Sequence, residues 1–193
     1  MNLILIGVIV FTFGHMFKRL VPAGREYLDL TFGKNLGKGF VAMFLVTGVI
    51  LITLGYYRNE FDFYFYSAPA WVTGLMHLMM LVSVAVMQAG KSYFGYMSHL
   101  GSKFRHPMLT GLIIWSLAHL LVNGTAIAFI LFGGLGMWAY AQISLLNKSA
   151  EESQPVLKGT FVGDIILGIL VLLLYAVFVL IHIYLGANMY PFL

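Results

Sequence analysis

Residues 161–185 read FVGDIILGILVLLLYAVFVLIHIYL, a run of 25 residues in which Asp164 is the sole Asp, Glu, Lys or Arg. An α-helix rises about 1.5 Å per residue, so this run is long enough to cross the roughly 30 Å hydrocarbon core of a bilayer. The run therefore predicts a transmembrane helix.

Five other apolar stretches approach the same length. They are residues 2–17, 40–57, 70–90, 108–123 and 125–146. The chain is 61% hydrophobic and only 9% charged, which lies outside the composition of soluble globular domains. We therefore predict one all-α domain over residues 1–193, a polytopic transmembrane bundle of about six helices with the lipid bilayer as its first partner.

The basic residues are distributed unevenly between the predicted loops. Ten of the eleven Lys and Arg lie in the first, third and fifth loops, and Arg58 alone lies on the other side. The positive-inside rule then predicts cytoplasmic basic loops and both termini outside. The net charge of +4 does not indicate nucleic-acid binding, because these residues are spaced between apolar runs where they orient the chain.

Four histidines fall inside the apolar stretches, namely His15, His77, His119 and His182. Ionisable side chains within a bilayer are costly, so these four are candidate functional residues. The chain has no cysteine, which excludes thiolate ligands, disulfides and iron–sulfur clusters. Neutral imidazole is a common haem ligand. The alternative is a purely structural role, in which each histidine hydrogen-bonds a neighbouring backbone or hydroxyl group and holds helices together.

The histidines are predicted to lie at different depths in the membrane. Measured from Pro107, His119 lies ~18 Å in from the cytoplasmic side, and His15 lies ~20 Å in from the outer side. Their levels differ by several ångströms, which is compatible with the two faces of one tilted porphyrin. His106 lies ~20 Å from His119 along the same helix, so these two cannot ligate one iron.

Two further histidines keep a second arrangement open. His77 and His182 are predicted to lie in the outer third, near the level of His119, and are less favoured metal ligands. Gly74 and Gly168 share helix faces with them, where a small residue either allows close helix approach or leaves room beside a flat cofactor.

Polar residues near His119 complete the predicted site. Ser116, His119 and Asn123 lie on one helix face, which should point into the bundle. Arg105 and His106 precede the helix-starting Pro107, where Arg105 is suited to anchor the helix at the headgroups. Trp71 and Trp138 are interpreted as interfacial belt residues.

Residues 105–111 read RHPMLTG and residues 115–124 read WSLAHLLVNG, with Phe132-Gly133-Gly134 beyond them and Gly14-His15 near the start. Over roughly residues 1–148 this pattern resembles the NnrU family of bacterial membrane proteins. The resemblance implies a bacterial inner-membrane location and a link with denitrification and nitric oxide metabolism. It also implies kinship with 15-cis-zeta-carotene isomerases, haem b membrane enzymes that use two histidines.

The resemblance implies particular site residues. The isomerase ligands are similar to His15 and to His119 of the segment WSLAH, so haem b with bis-His ligation is the expected cofactor arrangement. Ser116 stands where the isomerase has a cysteine implicated in redox-linked ligand exchange. Thiolate exchange is therefore excluded in this chain, although a hydrophobic substrate is still compatible with the resemblance.

Two other functions remain open on sequence grounds. One is an accessory subunit of a respiratory membrane complex, with purely structural histidines. The other follows from the Arg105-His106-Pro107 motif, which is similar to one in membrane S-adenosylmethionine-dependent methyltransferases. Those enzymes need a downstream acidic or amide residue, for which Glu151 and Glu152 are the nearby acids.

Overall fold

The structure is a computed structural model that describes residues 2–58, 63–148 and 158–186. It confirms the all-α prediction. Six main helices are joined by short connections and one 3₁₀ turn, Gly101–Lys103: α1 (Asn2–Leu20), α2 (Pro22–Tyr57), α3 (Val72–Ala89), α4 (Pro107–Val122), α5 (Ala126–Lys148) and α6 (Phe161–Tyr184). Glu151 and Glu152 lie outside the described residues.

Five of the six helices are long and apolar enough to cross a membrane, and α4 is a shorter apolar helix of 16 residues. The molecule is thus a helical membrane protein, as its composition predicts. The breaks fall near the expected positions, since α4 ends at Val122 and α5 begins at Ala126. Thr125 caps α5, because its hydroxyl accepts a hydrogen bond from the Ala128 amide at 3.2 Å.

The second helix starts earlier than the hydropathy pattern predicts. The sequence places residues 18–39 in a loop, whereas α2 begins at Pro22. Proline suits the first turn of a helix because its φ angle is already helical. Gly33, with φ 81° and ψ 154°, breaks α2 into a short first segment and a membrane-length second one. The short segment mixes charged and apolar residues, so an apolar-run criterion misses it.

The α1–α2 hairpin packs at backbone distance. A Cβ built on Gly7 would lie 2.7 Å from the Ile52 amide nitrogen, and one built on Gly48 would lie 2.7 Å from the Cβ of Phe11. These glycines therefore permit close helix contact. Gly74 and Gly168 do not, because no atom lies within 4 Å of a Cβ built at either position.

Loop contacts fix the alternating direction of the later helices. At one end, the Phe65 amide donates to the Gly124 carbonyl at 2.7 Å, which joins the α2–α3 and α4–α5 connections. At the other end, the Thr160 amide donates to the Met97 carbonyl at 2.8 Å, which joins the α3–α4 connection to the start of α6. The basic loops therefore meet at one end of the bundle, and which side of the membrane that end faces stays a prediction.

Candidate functional site: facing histidines on α4 and α6

His119 is held in a defined orientation on the last turns of α4. Its Nδ1 lies 3.0 Å from the carbonyl oxygen of Trp115. A carbonyl only accepts hydrogen bonds, so Nδ1 carries a proton and donates it, and in the neutral ring the Nε2 atom keeps its lone pair. Phe132 of α5 stacks on the imidazole with ring centres 4.2 Å apart and planes 20° apart. The ring is therefore fixed on one face while Nε2 remains a potential ligand.

His182 of α6 has the same local geometry. Its Nδ1 lies 2.7 Å from the Phe178 carbonyl oxygen, so Nε2 is again the nitrogen with a free lone pair in the neutral ring. The His182 and His119 ring centres are 6.4 Å apart, and the planes are inclined by 38°. The structure thus brings together two histidines that are 63 positions apart in the sequence.

A second contact joins α3 to α6 on the same face. Nδ1 of His77 lies 2.5 Å from the Tyr175 hydroxyl oxygen. Tyr175 and His182 are seven residues apart, which places them on one side of α6, two helical turns from each other. His77 is therefore engaged with a phenol on α6, in line with the predicted inward polar stripes of α3 and α6.

His15 lies in a different ring environment. Its Nδ1 is 3.1 Å from the Phe11 carbonyl oxygen, and its ring centre is 4.8 Å from that of Trp138. Trp138 is six residues beyond Phe132 on α5, so the His15 contact lies roughly 9 Å further along that helix than the His119 contact. The structure therefore sets His15 and His119 against different aromatic residues of α5.

Trp138 is not an interfacial belt residue, and that interpretation is wrong. Its ring faces Phe11 and His15, and its indole nitrogen is buried without a hydrogen-bond partner in the part of the chain that is described. Trp71 is 73% exposed at the start of α3, as expected for a belt residue. Trp138 lies in the middle of α5, 12 residues from its start and 10 from its end, whereas a belt residue lies where a helix leaves the membrane.

The other predicted site residues of α4 have distinct surroundings. Ser116 is buried, and its Oγ is without a hydrogen-bond partner among the described residues. Ser116 packs against Gly136 of α5, where an added Cβ would lie 3.0 Å from the Cβ of Ser116. Asn123 donates from Nδ2 to the His119 carbonyl oxygen at 2.9 Å and so closes the end of α4. Asn123 therefore contacts the His119 main chain and supports the helix end that carries His119.

Arg105 and His106 lie at the opposite end of α4 from His119. Nε2 of His106 is 3.0 Å from Oδ1 of Asn147, so this side chain connects the start of α4 to the end of α5. The structure separates both residues from the facing histidines. At the same end, the His99 amide and ring hold the Asp164 carboxylate, with Nδ1 to Oδ2 at 2.6 Å.

Sequence reasoning missed the aromatic side of the site. Phe132 belongs to a π-helical segment of α5, Phe129–Gly133, and such bulges widen a helix turn and re-aim its side chains. The Gly133-Gly134 pair is the one local sign of irregular structure, since glycine is a weak helix former. Nothing in the spacing predicts that Phe132 stacks on His119.

The number of ligands that a metal needs decides which kind of centre the His119–His182 pair could form. No group of three or more His, Asp or Glu side chains in residues 2–58, 63–148 and 158–186 is placed to hold a metal ion. A porphyrin supplies four nitrogens itself, so a haem needs at most two protein ligands. Two imidazoles that ligate one iron from opposite faces, each about 2 Å from the metal, have ring centres roughly 6 to 7 Å apart. The 6.4 Å between His119 and His182 fits that spacing.

Comparison with protein-family models gives one assignment. The model described as NnrU protein matches residues 3–189, nearly the whole chain and more than the stretch over which the motifs are recognisable. No curated protein and no solved structure matches the chain.

Proposed function

Because this chain belongs to the NnrU family, we propose that it is a haem b-binding protein of the bacterial inner membrane with bis-His ligation, in redox or isomerase chemistry or in support of nitric oxide metabolism. The observation that carries the proposal is the proximity of His119 and His182, whose ring centres are 6.4 Å apart. In each ring Nδ1–H donates a hydrogen bond to the backbone carbonyl four residues earlier. The nitrogen that a haem iron needs is thereby left with its lone pair.

His119 is common to the two ligand pairs under consideration. The family resemblance favours His15 as its partner, whereas the ring spacing favours His182. The difference in level along α5 weighs against a direct His15–His119 pair in this conformation. We therefore propose His119 with His182, and His15 as the partner that a rearranged bundle would supply.

The residues around the pair have clear tasks in such a site. Phe132 covers one face of His119, and Asn123 holds the end of α4 in place. Gly74 leaves open space on the helix face that carries His77. Gly168 lies ~21 Å from His182 along α6, which is too far to border a haem held by that histidine. When bound, haem supplies a one-electron redox couple, and substrate access to the iron requires one histidine to leave.

The test is an optical spectrum of the purified protein together with single histidine variants. We expect a Soret band in the wild type and its loss or marked weakening in His119→Ala and His182→Ala. His15→Ala and His77→Ala serve as matched controls that should retain haem. Loss in His15→Ala with retention in His182→Ala would reassign the second ligand. A wild-type protein without a Soret band, after expression with ample haem, would refute the proposal.

An accessory role in a respiratory membrane complex is a second candidate. Such a partner would contact a helix surface that otherwise faces lipid, for example the side of α6 where Leu172 is 66% and Leu180 is 64% exposed. Co-purification of a stoichiometric membrane partner, with no bound cofactor, would favour this reading over the haem protein. His106 contacts the side-chain amide of Asn147, the residue type that a methyltransferase site requires downstream of the Arg105-His106-Pro107 motif, so this minor candidate is tested by measuring S-adenosylmethionine binding to the purified protein.

A further inference from the structure

The short first segment of α2 is folded back on the rest of the helix. Arg25 donates from Nε to Oδ2 of Asp29 at 3.1 Å and from Nη1 to the Gly37 carbonyl oxygen at 2.8 Å. Gly37 is buried, and a Cβ there would collide with Oδ1 of Asp29. The Arg25–Asp29 pair therefore fixes the bend at Gly33. We call residues 22–32 the interfacial segment.

The interfacial segment exposes apolar as well as charged side chains. Tyr27 is 64%, Leu30 is 80% and Phe32 is 55% exposed. A short helix that exposes charged residues together with aromatic and aliphatic ones is suited to the headgroup region of a membrane. The segment follows directly from Leu20, the end of α1, on the side of the bundle where the basic loops lie. Its composition and its place at that end of the bundle therefore suit contact with lipid headgroups.

A cavity of about 370 Å³ lies between the end of α1 and the interfacial segment. Its wall carries the cations Lys18 and Lys34, the acid Glu26, the Arg25–Asp29 pair and the apolar side chain of Leu30. Arg25 and Asp29 neutralise each other at 3.0 Å. Lys18, Lys34 and Glu26 take part in no ion pair within the described residues. The cavity thus presents two unpaired cations and one unpaired carboxylate to a ligand.

We propose that this cavity binds the headgroup of a phospholipid that carries both a phosphate and a primary ammonium, as phosphatidylethanolamine does. Lys18 and Lys34 match the phosphodiester charge, and Glu26 matches the ammonium. Leu30 gives the acyl end an apolar contact at the mouth of the cavity. A purely anionic ligand would leave Glu26 uncompensated beside it, and a soluble zwitterion would make no use of the apolar Leu30 side chain in the cavity wall.

The test measures lipid retention by the full-length protein in detergent, by native mass spectrometry with added phosphatidylethanolamine or phosphatidylcholine. The wild type should retain about one phosphatidylethanolamine per chain through delipidation. Lys18→Ala/Lys34→Ala should weaken its binding about tenfold or more, given the contribution of each cation near a headgroup. Arg19→Ala/Lys38→Ala is the matched control, since it removes the same charge from neighbouring residues that do not line the cavity.

Glu26→Gln provides a second, independent measurement. It should abolish the preference for phosphatidylethanolamine over phosphatidylcholine, because the latter has no ammonium hydrogen to donate, while phosphate binding persists. Equal loss of lipid from the two double variants would overturn the proposal, and so would equal retention of the two lipids by the wild type. Neither result depends on haem binding.

Discussion

Three histidines in the helices share one local geometry. In His15, His119 and His182 the ring Nδ1 lies against the carbonyl oxygen four residues earlier, at 3.1, 3.0 and 2.7 Å. The carbonyl keeps its place in the helix because its second lone pair accepts the side-chain hydrogen. Each helix therefore fixes the tautomer of its own histidine, and what distinguishes the three is the ring that lies beside each imidazole: Trp138 beside His15, and Phe132 and His182 beside His119.

His77 differs at the same scale, because its Nδ1 contacts the Tyr175 hydroxyl rather than a carbonyl of its own helix. We predict that Tyr175→Phe lowers the free energy of unfolding by about 1 kcal/mol, since a partly buried hydrogen bond between α3 and α6 is lost. The measurement is thermal unfolding in detergent. The Soret intensity should stay unchanged, because His77 is then a packing residue rather than a ligand.

Tyr184→Phe is the control for that prediction. Tyr184 lies near the end of the same helix and is 89% exposed, so the loss of its hydroxyl should leave the unfolding midpoint within error. If both phenylalanine variants behave alike, the His77–Tyr175 contact contributes nothing measurable to the bundle.

At the element scale, glycines set how closely helices approach. On α2, Gly48 faces Phe11 and Gly55 faces Ile4, with backbone atoms on both sides of the contact. Lipid removes the hydrophobic drive between helices, so close van der Waals packing of this kind is a main source of association. The hairpin of α1 and α2 therefore depends on glycines, which have no side chain to hold the two backbones apart.

We predict that Gly48→Ala destabilises the protein by about 1 to 3 kcal/mol, because the added methyl group would lie within 3 Å of Phe11 and must push the helices apart. Gly168→Ala is the matched control, since it adds the same methyl group to a helix where no atom lies within 4 Å. Midpoints of thermal unfolding in the same detergent compare the two. Equal midpoints would contradict the close-packing account.

The π-helical segment of α5 acts on two sites of that helix. It places Phe132 against His119, and the turns that follow place Trp138 against His15. A π-bulge shifts the angular register of a helix by about one residue, so the faces before and after it are not continuous. α5 can therefore contact α4 with one face and α1 with another. In a regular helix of the same composition, Phe132 and Trp138 would point in different relative directions.

At the scale of the whole molecule, the basic loops meet at one end of the bundle. His99 bonds Asp164 there, and Met97 bonds Thr160, so the α3–α4 connection is tied to the start of α6. The opposite end is closed by the pairing of Phe65 with Gly124 and by the contact of Phe65 with Phe129. The two ends therefore differ in charge as well as in structure.

We predict that a membrane-impermeant maleimide added to intact cells labels Ser67→Cys and not Ser92→Cys. Both side chains are exposed, Ser67 on the poorly charged end and Ser92 next to Lys91 in a basic loop. The chain has no native cysteine, so each variant reports a single site. Permeabilised cells should label both positions. The reverse pattern would place the basic loops outside and contradict the positive-inside orientation.

The helices and their order were predictable because hydropathy is a property of each stretch by itself. Histidine at helix interiors was predictable for the same reason. The break at Gly33 and the interfacial segment were missed, since a short helix with mixed charge carries little hydropathy signal. The stacking of Phe132 on His119 and the inward position of Trp138 were missed as well, because both depend on a π-bulge that no residue count specifies.

The sequence by itself determined that the chain is a helical membrane protein and which histidines lie in its apolar stretches, since the cost of burying polar groups in lipid acts residue by residue. Only the tertiary structure decided that His119 lies beside His182, that His77 meets Tyr175, and that His15 lies beside Trp138. The physical reason is that helix rotation and neighbour choice arise from close packing between distant segments. In lipid, that packing depends on where glycines allow backbones to touch.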